Sequence, residues 1–297
     1  MRNALRSLSL IIALILTAAC SRQAPHLYSS GDINSQDSII GGEAVKSTDF
    51  ARSATVAVYT TGRRGLEFLC TGTLISKNLV VTAAHCMQSV YTIVYVSFGD
   101  ELPKSSLSMT RVEEYISHPD YGNVQKPGED AELYWTTEHD IALLKLSTNA
   151  PMGYTPVAIH ADTDKIPPQS KLLLAGFGTT NDEKGTAALS MNQVEVTLDS
   201  LVDDYLVIDQ SQYKGACFGD SGGPAYLQTA QGWVVVGATH AARPGYFDCH
   251  HKSDYTSLSK YSAFIQSMAA ELRAEAPVFL MPVEALKRPV RPPIAIQ

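Results

Sequence analysis

The sequence predicts an all-β protein, a sandwich or a barrel, finished by one C-terminal helix. Three observations predict it. From Ile39 to about Ser257 the chain is a succession of short apolar runs rich in Val, Ile, Thr and Tyr, separated by Gly, Asn, Asp and Pro. Strands of that length at regular intervals build sandwiches and barrels. Helical spacing of apolar residues occurs in one stretch, at Leu258, Tyr261, Phe264, Ile265, Met268 and Leu272. With 297 residues, 45% of them hydrophobic and 18% charged, the chain is too apolar for disorder and long enough for one enzyme-sized domain.

In chain order, a basic start (Met1 to Arg6), the apolar run Leu8 to Leu16 and the small residues leading to Cys20 describe a secretory signal peptide over residues 1–19. Small residues running into a cysteine also resemble a bacterial lipoprotein cleavage box, although Thr17 stands where leucine is usual. Lipidation would make Cys20 the mature N-terminus, and Ser21 after it resembles an outer-membrane address. The expectation is export, to the periplasm, the outer membrane or the cell surface, with a lipid on Cys20 as the sole membrane link. Residues 20–38 are polar and read as a linker or propeptide. The strand candidates are Ala54 to Tyr59, Thr92 to Ser97, Ile141 to Leu146, Lys171 to Ala175 and Gly232 to Gly237. Residues 273–297 contain five prolines, so the tail is expected to be extended, packed on the surface or disordered.

The net charge of −7, without a lysine or arginine cluster, gives no support to a nucleic-acid partner. Five cysteines are present. Setting Cys20 aside leaves an even set that suits two disulfides in an oxidising compartment, and no C-x-x-C pair argues for metal.

The chemistry concentrates in Gly215-Ala-Cys-Phe-Gly-Asp-Ser-Gly-Gly-Pro224. Glycines let main-chain N–H groups converge on one point, and Ser221 supplies a hydroxyl beside them; a tight turn is the competing reading. A serine nucleophile needs a base and a carboxylate to orient that base. His85, in Leu79-Val-Val-Thr-Ala-Ala-His-Cys86, and the His139-Asp140 pair opening an apolar strand are the candidates. Taken singly, each has an ordinary structural explanation.

Taken together and in order, TAAHC, HDIALLKL and GDSGGP resemble the trypsin/chymotrypsin family of serine endopeptidases. The resemblance runs from Ile39 to Leu272. Ile39-Ile-Gly-Gly42 is similar to the family's mature N-terminus, Leu69 to Ser76 to the strand before the histidine, His118-Pro-Asp-Tyr121 to a loop signature, and Gly176-Phe-Gly178 to the G-W-G turn. It implies two six-stranded antiparallel Greek-key β-barrels with a C-terminal helix over residues 39–272. It implies Ser221 as nucleophile, His85 as general base and acid, Asp140 as its orienting carboxylate, and the N–H groups of Gly219 and Ser221 as the oxyanion hole. It implies disulfides Cys70–Cys86 and Cys217–Cys249, and a zymogen activated when cleavage before Ile39 releases an amine that pairs with Asp220. Ser38 departs from the Arg or Lys of trypsin-activated relatives, so another protease, or the protein itself, would make that cut.

The resemblance places the specificity pocket at Gly215, Ala241 and Ala242, with Asp254 as a source of negative charge nearby. Gly215 in place of a floor aspartate argues against strict cleavage after Arg or Lys. Thr239-His-Ala-Ala242 stands where the family usually shows serine, tryptophan and glycine; His240 is unusual there and is assigned no role. His250 and His251 read as loop histidines rather than a metal site, and the loop after Gly99-Asp100 lacks the carboxylates of a calcium loop. The expectation is a monomer acting on protein or peptide substrates without cofactor or metal. The alternative is an inactive relative used for binding or adhesion.

Overall fold

In the computed structural model the described residues are 39–62, 65–88, 93–179, 190–246 and 248–281. The signal peptide, Cys20, the linker with Ser38, and the tail beyond Met281 lie outside them. The chain enters through β1 (Glu43–Ala44) and the single turn α1 (Ala51–Ala54), then forms β2 (Thr55–Gly62), β3 (Gly65–Ser76), β4 (Leu79–Thr82), β5 (Val94–Ser97) and β6 (Thr110–Ser117). A hairpin follows, β7 (Gly122–Pro127) and β8 (Leu133–Glu138), and then β9 (Ala142–Leu146). β2, β3, β4, β9, β6 and β5 close into a six-stranded antiparallel barrel.

The second half runs through β10 (Ala158–His160), β11 (Lys171–Gly176), β12 (Asn192–Val202), β13 (Tyr205–Asp209), β14 (Pro224–Thr229), β15 (Gly232–Ala242) and β16 (Lys252–Ser257). The order β14-β11-β12-β13-β16-β15, with β15 pairing back onto β14, closes a second six-stranded antiparallel barrel. Helix α2 (Ser262–Glu271) and β17 (Phe279–Leu280) complete the described chain. β17 adds in parallel to β10, so this part of the tail is extended and paired.

Burial on both faces explains why the strand candidates read as continuous apolar runs. In β2, Val56 and Val58 fill the first barrel with Val80, Val96 and Leu144. The alternate residues Ala57 and Tyr59 join Val81, Leu143, Phe177 and Tyr226 in a core shared by the two barrels. A buried bond of 2.9 Å between the hydroxyls of Thr55 and Tyr226 crosses the same seam. His85, which follows β4 of the first barrel, and Ser221, which precedes β14 of the second, line one cavity. The helix is shorter than the apolar spacing predicts: Leu258 and Tyr261 belong to the turn that precedes it, where both are buried.

Candidate active site

His85 lies on a short 3₁₀ turn, Ala84–Met87, directly after β4, and Cys86 in that turn is bonded to Cys70 on β3. The disulfide therefore anchors the histidine's backbone to the barrel. Asp140 lies two residues before β9 and is fully buried. Its Oδ1 accepts the His85 backbone N–H at 2.8 Å, and its Oδ2 lies 2.7 Å from His85 Nδ1. Burial alone would raise the Asp140 pKa, but hydrogen bonds from His240 and His85 outweigh it and hold the carboxyl well below the usual carboxylate range. An ionised carboxylate only accepts, so the His85 Nδ1 facing it carries the proton and Nε2 is left as the basic nitrogen.

His139, the other histidine of interest, turns the opposite way. With φ +54° it stacks on His118 at 4.7 Å, and its Nδ1 meets the Tyr261 hydroxyl at 3.2 Å. It braces the helix side of the strand and takes no part in the cluster at Asp140.

Ser221 lines the same cavity as His85. Its carbonyl accepts the Thr71 N–H at 2.9 Å, and the following Gly222 donates to Thr239 O at 2.8 Å, which pins the serine turn between β3 and β15. Gly219 and Gly222 have φ of +97° and +76°, and a Cβ on Gly222 would collide with the Thr82 hydroxyl. Glycine is required there by both conformation and space. Among the described residues, neither the Gly219 N–H nor the Ser221 N–H donates to a protein acceptor.

Asp220 points inward. Its carboxylate accepts N–H bonds from Gly178 at 2.8 Å and Cys217 at 2.9 Å, yet burial dominates and its pKa is pushed up to about 7. Among the described residues no cationic side chain pairs with it. Ile39 is buried in the second core, and Ile40 exchanges two 3.0 Å bonds with the backbone of Gly215. The N-terminal segment is thereby laid against the loop that carries Asp220.

The cavity has a volume of 520 Å³. Ala241 and Ala242 line it. Its floor holds a residue the sequence reading missed: Gln210. Its Nε2 donates to Ala216 O and Cys249 O, while its Oε1 accepts from Ala216 N and Ser253 Oγ. Nothing in the local sequence marks Gln210, since the residue earns its place through contacts from two other loops. Gly215 lies beneath this amide. The Cys217–Cys249 disulfide joins the two walls.

Asp254 does not supply the negative charge expected near the pocket. Side chains alternate along β16, so Ser253 faces the cavity and Asp254 the other side. There it is buried, with Oδ1 held at 2.9 Å by Arg243.

One flank of the cleft is formed by the β7–β8 hairpin, whose Trp135 is 71% exposed. Glu129 in its loop is held by Lys252 at 2.8 Å and Tyr246 at 3.0 Å. The Pro127-Gly128 dipeptide was the available signal for this turn.

As metal ligands the clustered groups are already occupied. Cys70 and Cys86 are spent in a disulfide. His85, Asp140 and His240 stand at hydrogen-bond separations of 2.6 and 2.7 Å, too tight for an ion between them unless the side chains spread. His251 is paired with Asp248 at 2.8 Å, and Asp100 with Arg52 at 3.3 Å.

The family model described as Trypsin matches residues 39–265, well over half of the chain. The chain is similar to cathepsin G of Mus musculus, 26% identical over 84% of this chain and 91% of the relative. Hypodermin-B of Hypoderma lineatum is 27% identical over 70% of this chain and 80% of its own length. Tonin of Rattus norvegicus is 28% identical over 69% and 82% respectively.

Proposed function

Since the chain belongs to the trypsin family of serine proteases, we propose that it is an exported serine endopeptidase that hydrolyses peptide bonds through an acyl-enzyme, made as a zymogen. The observation that carries this reading is His85, held at both its backbone and its Nδ1 by buried Asp140, in one cavity with Ser221.

In the proposed reaction the Ser221 Oγ attacks the scissile carbonyl carbon while His85 Nε2 takes its proton. The C–N bond breaks, and the leaving amine departs with that proton. Water then attacks the ester through the same base, releasing the acid and restoring Ser221. Asp140 keeps His85 in the productive tautomer. The N–H groups of Gly219 and Ser221 would receive the oxyanion, each contributing about 3 kcal/mol in such chemistry.

Cleavage before Ile39 would free an ammonium beside the loop of Asp220, giving that buried carboxylate a partner and settling the oxyanion loop. The pocket suits an uncharged side chain, because every hydrogen-bonding position of the Gln210 amide is used and Asp254 is neutralised by Arg243. Export, a lipid on Cys20, the activating protease and the monomeric state are parts of the same proposal. Among the described residues no helix is long and apolar enough to cross a membrane.

The test is hydrolysis of a mixed peptide library by chain beginning at Ile39. Wild type should cut peptides, and Ser221→Ala or His85→Ala should lose at least about a thousandfold in kcat. Equal activity of wild type and Ser221→Ala would overturn the proposal, and a folded wild type that cuts nothing would favour a binding protein.

A further inference from the structure

Asp140 serves two imidazoles. His240 Nδ1 lies 2.6 Å from the same Oδ2 that His85 approaches at 2.7 Å. His240 is only 3% exposed, its ring lies over Tyr205 at 5.2 Å, and its Nε2 meets the Thr136 hydroxyl at 3.3 Å. Both of its nitrogens therefore have partners, as a buried imidazole requires.

The backbone explains how a strand residue reaches the carboxylate. The β15–β16 ladder pairs Thr239 with Tyr255 and Ala241 with Asp254, so His240 is the extra residue of a β-bulge. Such a bulge breaks the regular alternation and re-aims one side chain. Thr239, just before it, binds the serine turn by accepting from Gly222 N–H and donating to Gly223 O. Neighbouring residues of one strand thus grip the nucleophile's turn and the carboxylate.

Tautomer logic gives the arrangement a direction. Ionised Asp140 accepts only, so His240 presents Nδ1–H to it. Its Nε2 then accepts from the Thr136 hydroxyl, which belongs to the β7–β8 hairpin. A chain of donors runs from hairpin to carboxylate: Thr136 O–H to His240, His240 N–H to Asp140. Asp140 Oδ2 receives two N–H bonds in fixed directions, and its Oδ1 a third from the His85 backbone.

Resting on the protease reading above, we infer that His240 is a positioning residue of the catalytic apparatus, acting through Asp140 to fix the carboxylate that orients His85. The competing role, a buried ring that merely fills space, makes a different prediction about substitutions. Asparagine places its side-chain N–H where His240 Nδ1 lies and can still donate to Asp140. Glutamine is closer to histidine in volume but extends its N–H toward Thr136. Positioning ranks Asn above Gln, whereas filling ranks Gln above Asn.

The experiment uses the full secreted chain cut before Ile39, with His240→Asn, His240→Gln and His240→Ala, each first shown to be folded by circular dichroism. Wild type is checked with a fluorophosphonate probe, and kcat and KM are measured on a peptide that wild type cleaves. The expected result is kcat within about threefold of wild type for Asn, a fall of about tenfold or more for Gln and Ala, and KM little changed throughout. Proton NMR supplies a readout independent of turnover: wild type should show two strongly low-field imidazole N–H resonances and each variant one.

Labelled wild type with Gln and Ala variants of unchanged kcat, or a single low-field resonance in wild type, would overturn the role of His240 while leaving the protease reading intact. Wild type that never labels would overturn the protease reading, and the positioning role with it.

Discussion

The carboxamide of Gln210 fills the space that a side chain on Gly215 would need, so that a Cβ there collides with the amide's Cδ and Oε1. The floor of the cavity is thereby a neutral amide, with both donors and both acceptor positions already engaged by Ala216, Cys249 and Ser253.

It follows that Gly215→Asp will not install a preference for basic residues. The carboxylate would be forced against Gln210 and buried without a cation, at a cost to stability of about 3 kcal/mol or more, read as a lowered thermal midpoint. On peptides that differ at the cleaved residue, kcat/KM for Arg or Lys is expected to be at least about tenfold below that for uncharged side chains.

Asp220 makes the uncut protein sensitive to pH. Its folded pKa of about 7 lies above the unfolded value of about 4. Between those values the folded chain holds a proton that the unfolded chain has released, so this residue's contribution falls as pH rises from about 4 to about 7. Uncut wild type should therefore lose stability relative to Asp220→Asn across that window, seen as diverging urea midpoints. Cleavage before Ile39 should abolish or reverse the divergence, because the new ammonium favours the ionised form.

The two disulfides should separate stability from chemistry. Each closes a loop of 16 or 32 residues and is expected to contribute about 3–4 kcal/mol. Replacing both Cys217 and Cys249 by Ser should lower the melting temperature and broaden residue preference, since the cavity walls lose their tie. The same change at Cys70 and Cys86 should also lower kcat, because Cys86 sits beside His85.

Much of this was legible in the chain itself. Val56, Val80 and Leu144 announce strands because both faces of each strand are buried, and the contiguous motifs around His85, Asp140 and Ser221 locate the cluster. What was not legible depends on contacts between distant segments. Gln210 becomes the floor only when the loops of Ala216 and Cys249 close on it. Asp254 follows Cys249 on the segment that returns to the pocket, but the pleat of β16 places it opposite Ser253 and beside Arg243. His240 needed the bulge at Thr239 and Ala241, which no local pattern encodes, to bring its ring to Asp140.

Hairpin docking offers a smaller effect. Glu129→Ala removes the contacts to Lys252 and Tyr246, both partly exposed, so stability should change by less than about 1 kcal/mol. Because the hairpin forms one flank of the cleft, KM is expected to rise severalfold with kcat nearly constant on peptides that extend along it.

The central claim is that Ser221 becomes a reactive nucleophile once the chain begins at Ile39. The most direct measurement is intact-mass and peptide-level analysis of wild type and Ser221→Ala, uncut and cut before Ile39, after treatment with a fluorophosphonate probe. The account predicts one adduct, on Ser221, in cut wild type and in no other sample. Folded, cut wild type that remains unmodified, or that is modified as strongly with alanine at 221, would contradict it.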